Sequence, residues 1–342
     1  MVQLLVGESW GGAERFFVKL AGALEKREID SKIIIKRDAQ RAQDLRDLGV
    51  EPVELDFQKG IGDILARRAL AREVKAFAPD VVVAWMNRAA RRMPSGDFVK
   101  VGRLGGYYPL KYYKKCDWLI ANTPDLERYI KDGGWPADRV RMLTNFGELE
   151  PMAPASRASL DTPEDAFVLL SMGRLHDSKG FDTLISAVAK VDGAYLWLAG
   201  AGELDATLRQ QAEAAGISDR VRFLGWRNDQ AALLQGADVC VVPSRHEPLS
   251  NVVLEAWSLS CPVVAAASEG PGWLIDHGEN GLLSPVDDIN ALALNIQAMK
   301  DAPDDARRLA EGGHAKWQKA FSVDAITNQF IDFFAEISRK SA

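Results

Sequence analysis

The sequence predicts an α/β protein built from two parallel sheets, each covered by helices. Short runs rich in Val, Ile and Leu alternate with longer helical segments, the pattern of parallel strands buried on both faces. The chain has 342 residues, 47% of them hydrophobic, which is enough for two domains of ordinary size. Its 26% charged residues and lack of a long low-complexity tract argue against disorder.

The strands follow from these apolar runs, and the helices from the amphipathic segments between them. In the first half we predict strands at 2–6, 32–35, 53–55, 81–84, 99–101, 118–121 and 141–143, with helices from Ala13, at 63–77 and at 124–131. In the second half we predict strands at 167–171, 195–199, 221–224, 239–242 and 262–266, with closing helices at 289–299, 306–320 and 323–337.

A segment rich in Pro, Ala and Ser divides the two halves. We predict a first domain at 1–150, a linker at 151–163, a second domain at 164–322 and a separate C-terminal helix at 323–342.

One basic segment departs from the overall charge of −6, which does not by itself suggest a nucleic-acid protein. Residues 88–115 carry one acid, four of the six tyrosines and eight basic residues: Arg88, Arg91, Arg92, Lys100, Arg103, Lys111, Lys114 and Lys115. Basic residues among aromatics suit an anionic membrane surface or a phosphorylated acceptor. A solvated positive face is an equal alternative, and no nucleic-acid-binding motif accompanies the segment.

The three cysteines, Cys116, Cys240 and Cys261, show neither metal-ligand nor redox spacing. Cys240 and Cys261 fall in predicted buried strands, so we expect reduced core residues, as in a cytoplasmic protein. The start of the chain lacks a basic region before its apolar run, and no run approaches the roughly 18 residues of a membrane span. We therefore expect a cytoplasmic protein, at most peripheral on the cytoplasmic face of the inner membrane.

The most informative stretch runs from residue 239 to 266 and reads as strand, loop, helix and strand. Glu247 and Glu255, with seven residues between them, flank a predicted helix start at which Ser250 and Asn251 would cap free N–H groups. A helix start of this kind can bind a phosphate, and the two glutamates could accept hydrogen bonds from hydroxyl groups on either side of it. This combination suits a nucleotide sugar, although acidic residues near a helix start also occur for the dipole alone.

Two further loops offer phosphate contacts. Between Gly173 and Gly180, Arg174 and Lys179 lie five residues apart at a strand-to-helix junction, an arrangement suited to a diphosphate, or to a surface loop with two solvated cations. Near the start, Gly11 and Gly12 form a turn before a helix. The dinucleotide fingerprint G-x-G-x-x-G is absent there, which argues against a nicotinamide dehydrogenase.

Together these motifs resemble the retaining glycosyltransferases of family 4. The residues that carry the resemblance are the turn at 11–14 (GG-x-E), the loop at 173–180 (GRL-x-x-x-KG), the spaced Glu247 and Glu255, and residues 278–283 (GENGLL), which resemble a hairpin of that family. The resemblance implies the GT-B fold: two Rossmann-like parallel-sheet domains facing a central cleft. It also implies a last helix that crosses back to the first domain.

The resemblance also implies roles for individual residues. Glu255 would bind the ribose hydroxyls and Glu247 the sugar hydroxyls, while Arg174 and Lys179 would hold the diphosphate. Backbone groups would complete the donor site at the positions Gly12, Gly225, Trp226, Arg227, Leu249, Ser250 and Asn251. Trp226 could stack near the base, and a place in the core is slightly favoured. No metal or cofactor is expected, and a UDP-sugar is favoured over a GDP- or ADP-sugar.

The sequence departs from the family pattern in its histidines. All four, His176, His246, His277 and His314, lie in the second half, so no histidine is available where the family has one near the acceptor. The family's GG turn is also interrupted, by Pro271. These departures put a side-chain base in doubt but leave open retaining transfer on one face of the sugar.

We therefore expect a metal-independent, retaining glycosyltransferase that moves a hexose-type sugar from a nucleotide diphosphate. The expected acceptor is a cell-envelope glycolipid, such as lipopolysaccharide core, or a phosphorylated saccharide. Two other classes stay open: a nucleotide-sugar epimerase of similar fold, and a non-catalytic subunit that binds a sugar nucleotide.

Overall fold

Two parallel sheets, one in each half of the chain, confirm the predicted α/β class. The computed structural model describes residues 1–7, 11–58 and 60–339. Its first unit consists of residues up to Asn145 together with the C-terminal helix from Val323, and its second unit runs from Phe146 to Ser322.

The first sheet has seven parallel strands in the order β3-β2-β1-β4-β5-β6-β7. They are β1 (Val2–Leu5), β2 (Lys32–Lys36), β3 (Val53–Leu55), β4 (Val81–Trp85), β5 (Val99–Arg103), β6 (Trp118–Ala121) and β7 (Val140–Met142). In β1, Val2 pairs with Lys32 on one side and Val82 on the other. The strand order therefore reverses between β1 and β4, the place at which open parallel sheets form a crevice.

Helices flank this sheet: α1 (Gly12–Glu25), α2 (Ala39–Arg46), α3 (Ile61–Phe77), α4 (Met86–Ala90) and α5 (Pro124–Asp132). Local chemistry sets their starts. Asp38 accepts the N–H of Arg41 at the start of α2, and Thr123 accepts that of Leu126 at the start of α5. Helices α2 and α4 were not predicted, because one has weak apolar periodicity and the other spans a single turn.

The second sheet has six parallel strands in the order β10-β9-β8-β11-β12-β13. They are β8 (Phe167–Met172), β9 (Ala194–Ala199), β10 (Val221–Gly225), β11 (Val239–Val242), β12 (Val263–Ala266) and β13 (Leu282–Ser284). Here the order reverses between β8 and β11, which pair through Val239 and Leu169. The loops that follow these two strands therefore emerge side by side.

One sequence prediction fails in this sheet. The turn at residues 278–281 forms, with the N–H of Gly278 donating to the carbonyl of Gly281 at 2.9 Å. The predicted hairpin is wrong, however, because β13 pairs in parallel with β12. The turn thus leads into a new edge strand and does not return the chain along the preceding one.

The helices of the second unit are α6 (Phe181–Val188), α7 (Asp205–Ala214), α8 (Gln230–Gly236), α9 (Asn251–Ser258), α10 (Glu269–Leu274), α11 (Ile289–Asp301) and α12 (Pro303–Ala320). Two tryptophans fix the surroundings of α9. Trp257 donates to the carbonyl of Asn280 at 3.0 Å, and Trp317 donates to that of Gly147 at 2.6 Å. Both contacts satisfy backbone oxygens that burial would otherwise leave unpaired.

The segment 151–163, predicted as a linker, packs on the second unit. The N–H of Ala155 donates to the carbonyl of Ala232, and Arg157 pairs with the carboxylate of Asp238 at 3.1 Å. Thr162 accepts the indole N–H of Trp197 at 2.9 Å. The division between the units lies earlier, at Asn145.

The last helix, α13 (Val323–Arg339), packs on the first unit. The ring of Phe330 lies 6.0 Å from that of Phe16 in α1. At the other end of α13, Arg141 pairs with Glu336 at 2.7 Å. Apolar packing against α1 and an ion pair with β7 thus hold this helix on the first unit.

The three cysteines are buried and free, as predicted for Cys240 and Cys261, although Cys261 lies just before β12 and not in it. Burial raises the pKa of Cys116 and of Cys261 to about 12, so both stay as thiols at neutral pH. Within the described residues, no helix combines the length and the apolar character needed to cross a bilayer.

Candidate active site

The loops after β8 and β11 pack against each other at the reversal point of the second sheet. The carbonyl of Ser178 accepts the N–H groups of Arg245 at 2.9 Å and of His246 at 3.1 Å. Gly180 makes this approach possible: its φ is +65°, and a Cβ there would lie 2.2 Å from the carbonyl oxygen of Pro243. The glycine of the predicted diphosphate loop is therefore needed for the contact between the two loops.

This packing brings two predicted site residues together. Lys179 donates from Nζ to Oε2 of Glu247, and both side chains are partly buried. The hydroxyl of Ser244 lies 3.4 Å from the same carboxylate oxygen. Because both side chains are partly buried, this ion pair is stronger than an exposed one and fixes the positions of the ammonium and carboxylate groups.

Glu269, at the start of α10, fixes the backbone of Glu247. Its carboxylate accepts the N–H of Glu247 at 3.1 Å and pairs with Nδ1 of His246. The next residue, Gly270, donates to the carbonyl of Glu247 at 2.7 Å. Burial opposes ionisation of Glu269, but N–H groups and the His246 ring outweigh it and hold the pKa of its carboxyl below the usual value.

Arg245 connects the same loops through its side chain. Its guanidinium pairs with Asp182 at 2.6 Å, with Asp287 at 2.8 Å and with Asp177 at 3.4 Å. The hydrogen bond to Asp182 is the main reason that the pKa of Arg245 is raised. Three segments of the second unit are therefore joined by one side chain that is charged at every accessible pH.

The start of α9 differs from the prediction that serine and asparagine cap it. Ser250 has a left-handed backbone, with φ +63°, and its side chain makes no capping hydrogen bond, since a cap needs an extended backbone. Its buried hydroxyl oxygen and Oδ1 of Asn251 find no hydrogen-bond partner among the described residues. Two polar atoms at this helix start are thus left for a ligand to satisfy.

Glu255 lies four residues after Asn251, on the same face of α9, and is half-buried. A Cβ on Gly147 would lie 2.5 Å from that of Leu254, so the chain passes very close to α9 at this point. Leu249 is buried beside the helix start. The spaced glutamates are therefore held on one loop-and-helix element.

The remaining predicted donor residues lie around these loops or outside the second unit. Arg174 is exposed and forms no ion pair with any described residue. Gly225 has φ +64° at the end of β10, and Arg227 pairs with Asp229 at 2.5 Å. Gly12 lies in the first unit, at the start of α1.

Trp226 overturns one preference from the sequence. Its side chain is 60% exposed and donates to Oδ1 of Asn228 at 3.2 Å, so it does not fill the core. An exposed ring of this size is available to contact a ligand.

In the first unit, the basic segment forms a surface pocket between α3, α4 and the turn at Leu110–Tyr113. We call it the basic pocket; it measures about 470 Å³ and is lined by Arg67, Ala90, Arg91, Lys111, Tyr112, Lys114 and Lys115. Arg91 and Lys111 both lie against the ring of Tyr112, at 5.2 and 5.5 Å. Arg88 is exposed nearby on α4.

Two arginines of the predicted patch do not belong to this surface. Arg103 is 1% exposed: it donates to Oδ1 of Asn145 at 2.6 Å and stacks over Trp85, 4.5 Å from the ring centre. Burial lowers its pKa to about 9, and no described carboxylate pairs with it. Arg92 pairs with Asp63 at 2.6 Å, which neutralises its charge.

Sequence reasoning missed Glu269 and Arg245 as contributors to the site. Glu269 lies two residues before Pro271, beside the position of the family's GG turn, but nothing in the sequence indicated its contact with Glu247. Arg245 stands two residues before Glu247, but its three carboxylate partners are scattered over more than a hundred residues.

Both halves of the chain match known protein families. Residues 152–316 match the family described as glycosyl transferases group 1, and residues 10–150 match Glycosyltransferase Family 4. Lipopolysaccharide core biosynthesis glycosyltransferase LpsE of Rhizobium meliloti (strain 1021) is 40% identical over 338 residues, covering 95% of this chain and 96% of that protein. LpsD of the same organism is 37% identical over 327 residues, covering 95% of each.

Solved structures show the same fold at lower identity. Anabaena Alr3699/HepE in complex with UDP has a TM-score of 0.83 and 21% identity, covering 98% of this chain and 99% of that one. The apo form of the lipopolysaccharide outer core galactosyltransferase WaaB has a TM-score of 0.75 and 18% identity, covering 98% and 100%. The matches along both halves and the two parallel sheets lead to one conclusion: the chain is a glycosyltransferase of family 4, group 1, with the GT-B fold.

Proposed function

We propose that the protein is a retaining glycosyltransferase that takes a sugar from a nucleotide diphosphate donor without a metal ion. The observation that carries the proposal is the pairing of Lys179 with Glu247 next to the start of α9. A cation, an anion and a helix start with an unpartnered Ser250 hydroxyl are the groups that a sugar diphosphate requires side by side.

The diphosphate of the donor would bind at the start of α9, near Arg174 and Lys179. Its oxygens would accept hydrogen bonds from the Ser250 hydroxyl and from the first backbone N–H groups of the helix. The two cations would neutralise the charge that develops on the leaving nucleotide, a role that a metal ion has in other enzymes. Arg174 is exposed and pairs with no carboxylate among the described residues, so its side chain can turn toward such a ligand.

Glu247 would accept hydrogen bonds from the hydroxyls of the sugar, and Glu255 from those of the ribose. During transfer the bond between the anomeric carbon and the phosphate oxygen breaks, and the acceptor oxygen bonds to that carbon on the same face. The proton of the acceptor hydroxyl passes to the departing phosphate oxygen. No histidine is needed as base, which suits a first unit without one.

A UDP-sugar with a hexose is the donor we favour. The similar HepE has been crystallised in complex with UDP and with UDP-glucose, at 21% and 22% identity to this chain. In this chain the exposed Trp226, together with Gly225 and Arg227, would contact the base.

We further propose a cell-envelope glycolipid, such as lipopolysaccharide core, as the acceptor. Support comes from the names of LpsE and LpsD, which this chain matches over 95% of its length, and from the basic pocket of the first unit. Anionic groups on such a glycolipid complement this pocket. The reaction would then take place at the cytoplasmic face of the inner membrane.

Saturation-transfer NMR with UDP-, GDP- and ADP-sugars tests the donor assignment. We expect one UDP-sugar to bind the wild type, Glu255→Ala to lose that signal, and the exposed control Glu279→Ala to keep it. Binding that survives in Glu255→Ala would contradict the assigned site. Incubation with the donor alone separates transfer from epimerisation, because interconversion of epimers without acceptor would favour an epimerase.

A further inference from the structure

Helix α3 presents large apolar side chains to solvent. Ile61, Ile64 and Leu65 are 77%, 52% and 58% exposed, although residues of this kind are normally buried. Their spacing of three and four places them on one side of the first turns of α3. Ala66, Leu70 and Val74 form the opposite side, which packs into the core of the first unit.

The same outward side continues with cations. Arg68, Arg72 and Lys75 are exposed and lie seven, eleven and fourteen residues after Ile61, which keeps them on this side of the helix. The outward face of α3 therefore begins with apolar side chains and ends with three basic ones. A helix surface that only faced water would not need the apolar part.

The basic pocket adjoins this face. Arg67 lines the pocket, and its guanidinium donates to Asp63 and to the carbonyl of Arg91. This places Arg67 on the flank of α3 between the core side and Ile64. The described residues that line the pocket include five cationic side chains and no carboxylate. Apolar surface and concentrated positive charge therefore lie next to each other.

We propose that the outward face of α3 and the basic pocket together form a docking surface for an anionic lipid bilayer. Ile61, Ile64 and Leu65 enter the boundary between headgroups and acyl chains, while the pocket binds a lipid phosphate. Apolar side chains flanked by Lys and Arg are typical of helices that lie in this interface. The inference rests on the proposed function in one respect: a glycolipid acceptor would be located in a membrane.

Co-sedimentation of the full chain with vesicles tests this surface. The vesicles contain phosphatidylcholine alone, or phosphatidylcholine and phosphatidylglycerol in equal amounts. We expect the wild type to prefer the anionic vesicles and to lose binding as salt rises. A triple change, Ile61→Ser with Ile64→Ser and Leu65→Ser, should weaken binding about tenfold or more. Lys111→Gln with Lys114→Gln should weaken it by about fivefold for each charge removed.

The second unit supplies a matched control. Leu294 is 70% exposed, so Leu294→Ser removes an equally exposed apolar side chain and should leave vesicle binding unchanged. A second measurement does not depend on loss of binding: in Ile64→Trp, the new indole should be quenched by brominated lipid, whereas the indole in Leu294→Trp should not.

Four results would overturn the proposal: no binding to vesicles, equal binding to both vesicle types, unchanged binding by the triple variant, or no quenching in Ile64→Trp. Binding of inorganic phosphate that depends on Lys111 and Lys114, without vesicle binding, would assign the pocket to a soluble anion. Titration with a UDP-sugar separates this inference from the proposed function. Donor binding without vesicle binding refutes only the docking surface, and vesicle binding without donor binding refutes only the donor assignment.

Discussion

The carboxylate of Glu269 accepts the backbone N–H of Glu247 at 3.1 Å, so a residue 22 positions further along the chain holds the loop after β11 in place. Glu247 meets Lys179 through its side chain and Glu269 through its backbone. The position of its carboxylate therefore depends on two segments that sequence motifs treat as separate.

Replacement of Glu269 tests this dependence. We expect Glu269→Ala to lower kcat/KM for sugar transfer about tenfold, because the loop loses a charge-assisted hydrogen bond. Glu269→Gln keeps an oxygen that can accept the N–H of Glu247, so most activity should return. Steady-state kinetics with the exposed Glu279→Ala as control measure both effects. Equal losses in the alanine and glutamine variants would argue against a positioning role.

Comparison of Gly180→Ala with Gly216→Ala should separate the effect of backbone strain from that of moving the two loops apart. The new Cβ would lie 2.2 Å from the carbonyl oxygen of Pro243, so the loops after β8 and β11 must move apart. Gly216 shares the left-handed backbone, with φ +69°, but has open space around it. We expect both alanine variants to lose about 1–3 kcal/mol of stability through backbone strain. Only Gly180→Ala should also lose donor affinity in titrations; equal donor affinity in the two variants would contradict the contact.

The buried pair of Arg103 and Asn145 gives a stability prediction for the first unit. Asn145→Ala leaves guanidinium donors unpaired and should cost about 2 kcal/mol in the free energy of unfolding. Arg103→Met removes the buried charge and should be neutral or stabilising. Adding Asn145→Ala to Arg103→Met should then cost much less than in the wild type. Denaturant titrations of all four proteins measure this cycle, and equal costs in the two backgrounds would count against the pairing.

The lowered pKa of Glu269 predicts an acid sensitivity in the second unit. A carboxyl whose pKa is lower in the folded than in the unfolded chain contributes stability above the unfolded value and loses it as pH falls through the folded value. Glu269 should therefore contribute stability above the pH at which an unfolded glutamate titrates, and lose that contribution as pH falls through its lower folded pKa. The stability difference between wild type and Glu269→Gln, measured by denaturant titration across this range, should therefore shrink as pH falls. A difference independent of pH would contradict the assignment.

Much of the fold was predictable because buried parallel strands leave a clear sequence pattern. The bounds of β3, β6 and β11 match the prediction to the residue. Strands β6 and β11 are short apolar runs, and β3 alternates apolar and charged residues. Helices α2 and α4 left no such pattern, and the edge strand β13 was mistaken for half of a hairpin. Tertiary packing, and not the turn at residues 278–281, determines that β13 pairs in parallel with β12.

The candidate site was predictable where a motif carries the chemistry and not where distant residues meet. Lys179 and Glu247 were singled out from the motifs of their loops, and the structure places the two side chains in contact. The burial of Arg103 was not predicted, because the sequence does not distinguish an exposed arginine from one that packs against Trp85. The conformation of Ser250 was also missed, since a serine before a helix normally caps it.

The three carboxylate contacts of Arg245 limit how loops of this glycosyltransferase can be exchanged in protein engineering. The segments that contain Asp177, Asp182 and Asp287 share the guanidinium of Arg245, so an exchanged loop that lacks its aspartate removes one of these ion pairs. Chimeras that keep all four residues keep every one of these ion pairs. Mutant libraries should therefore keep Arg245 and its three aspartates together and vary other residues.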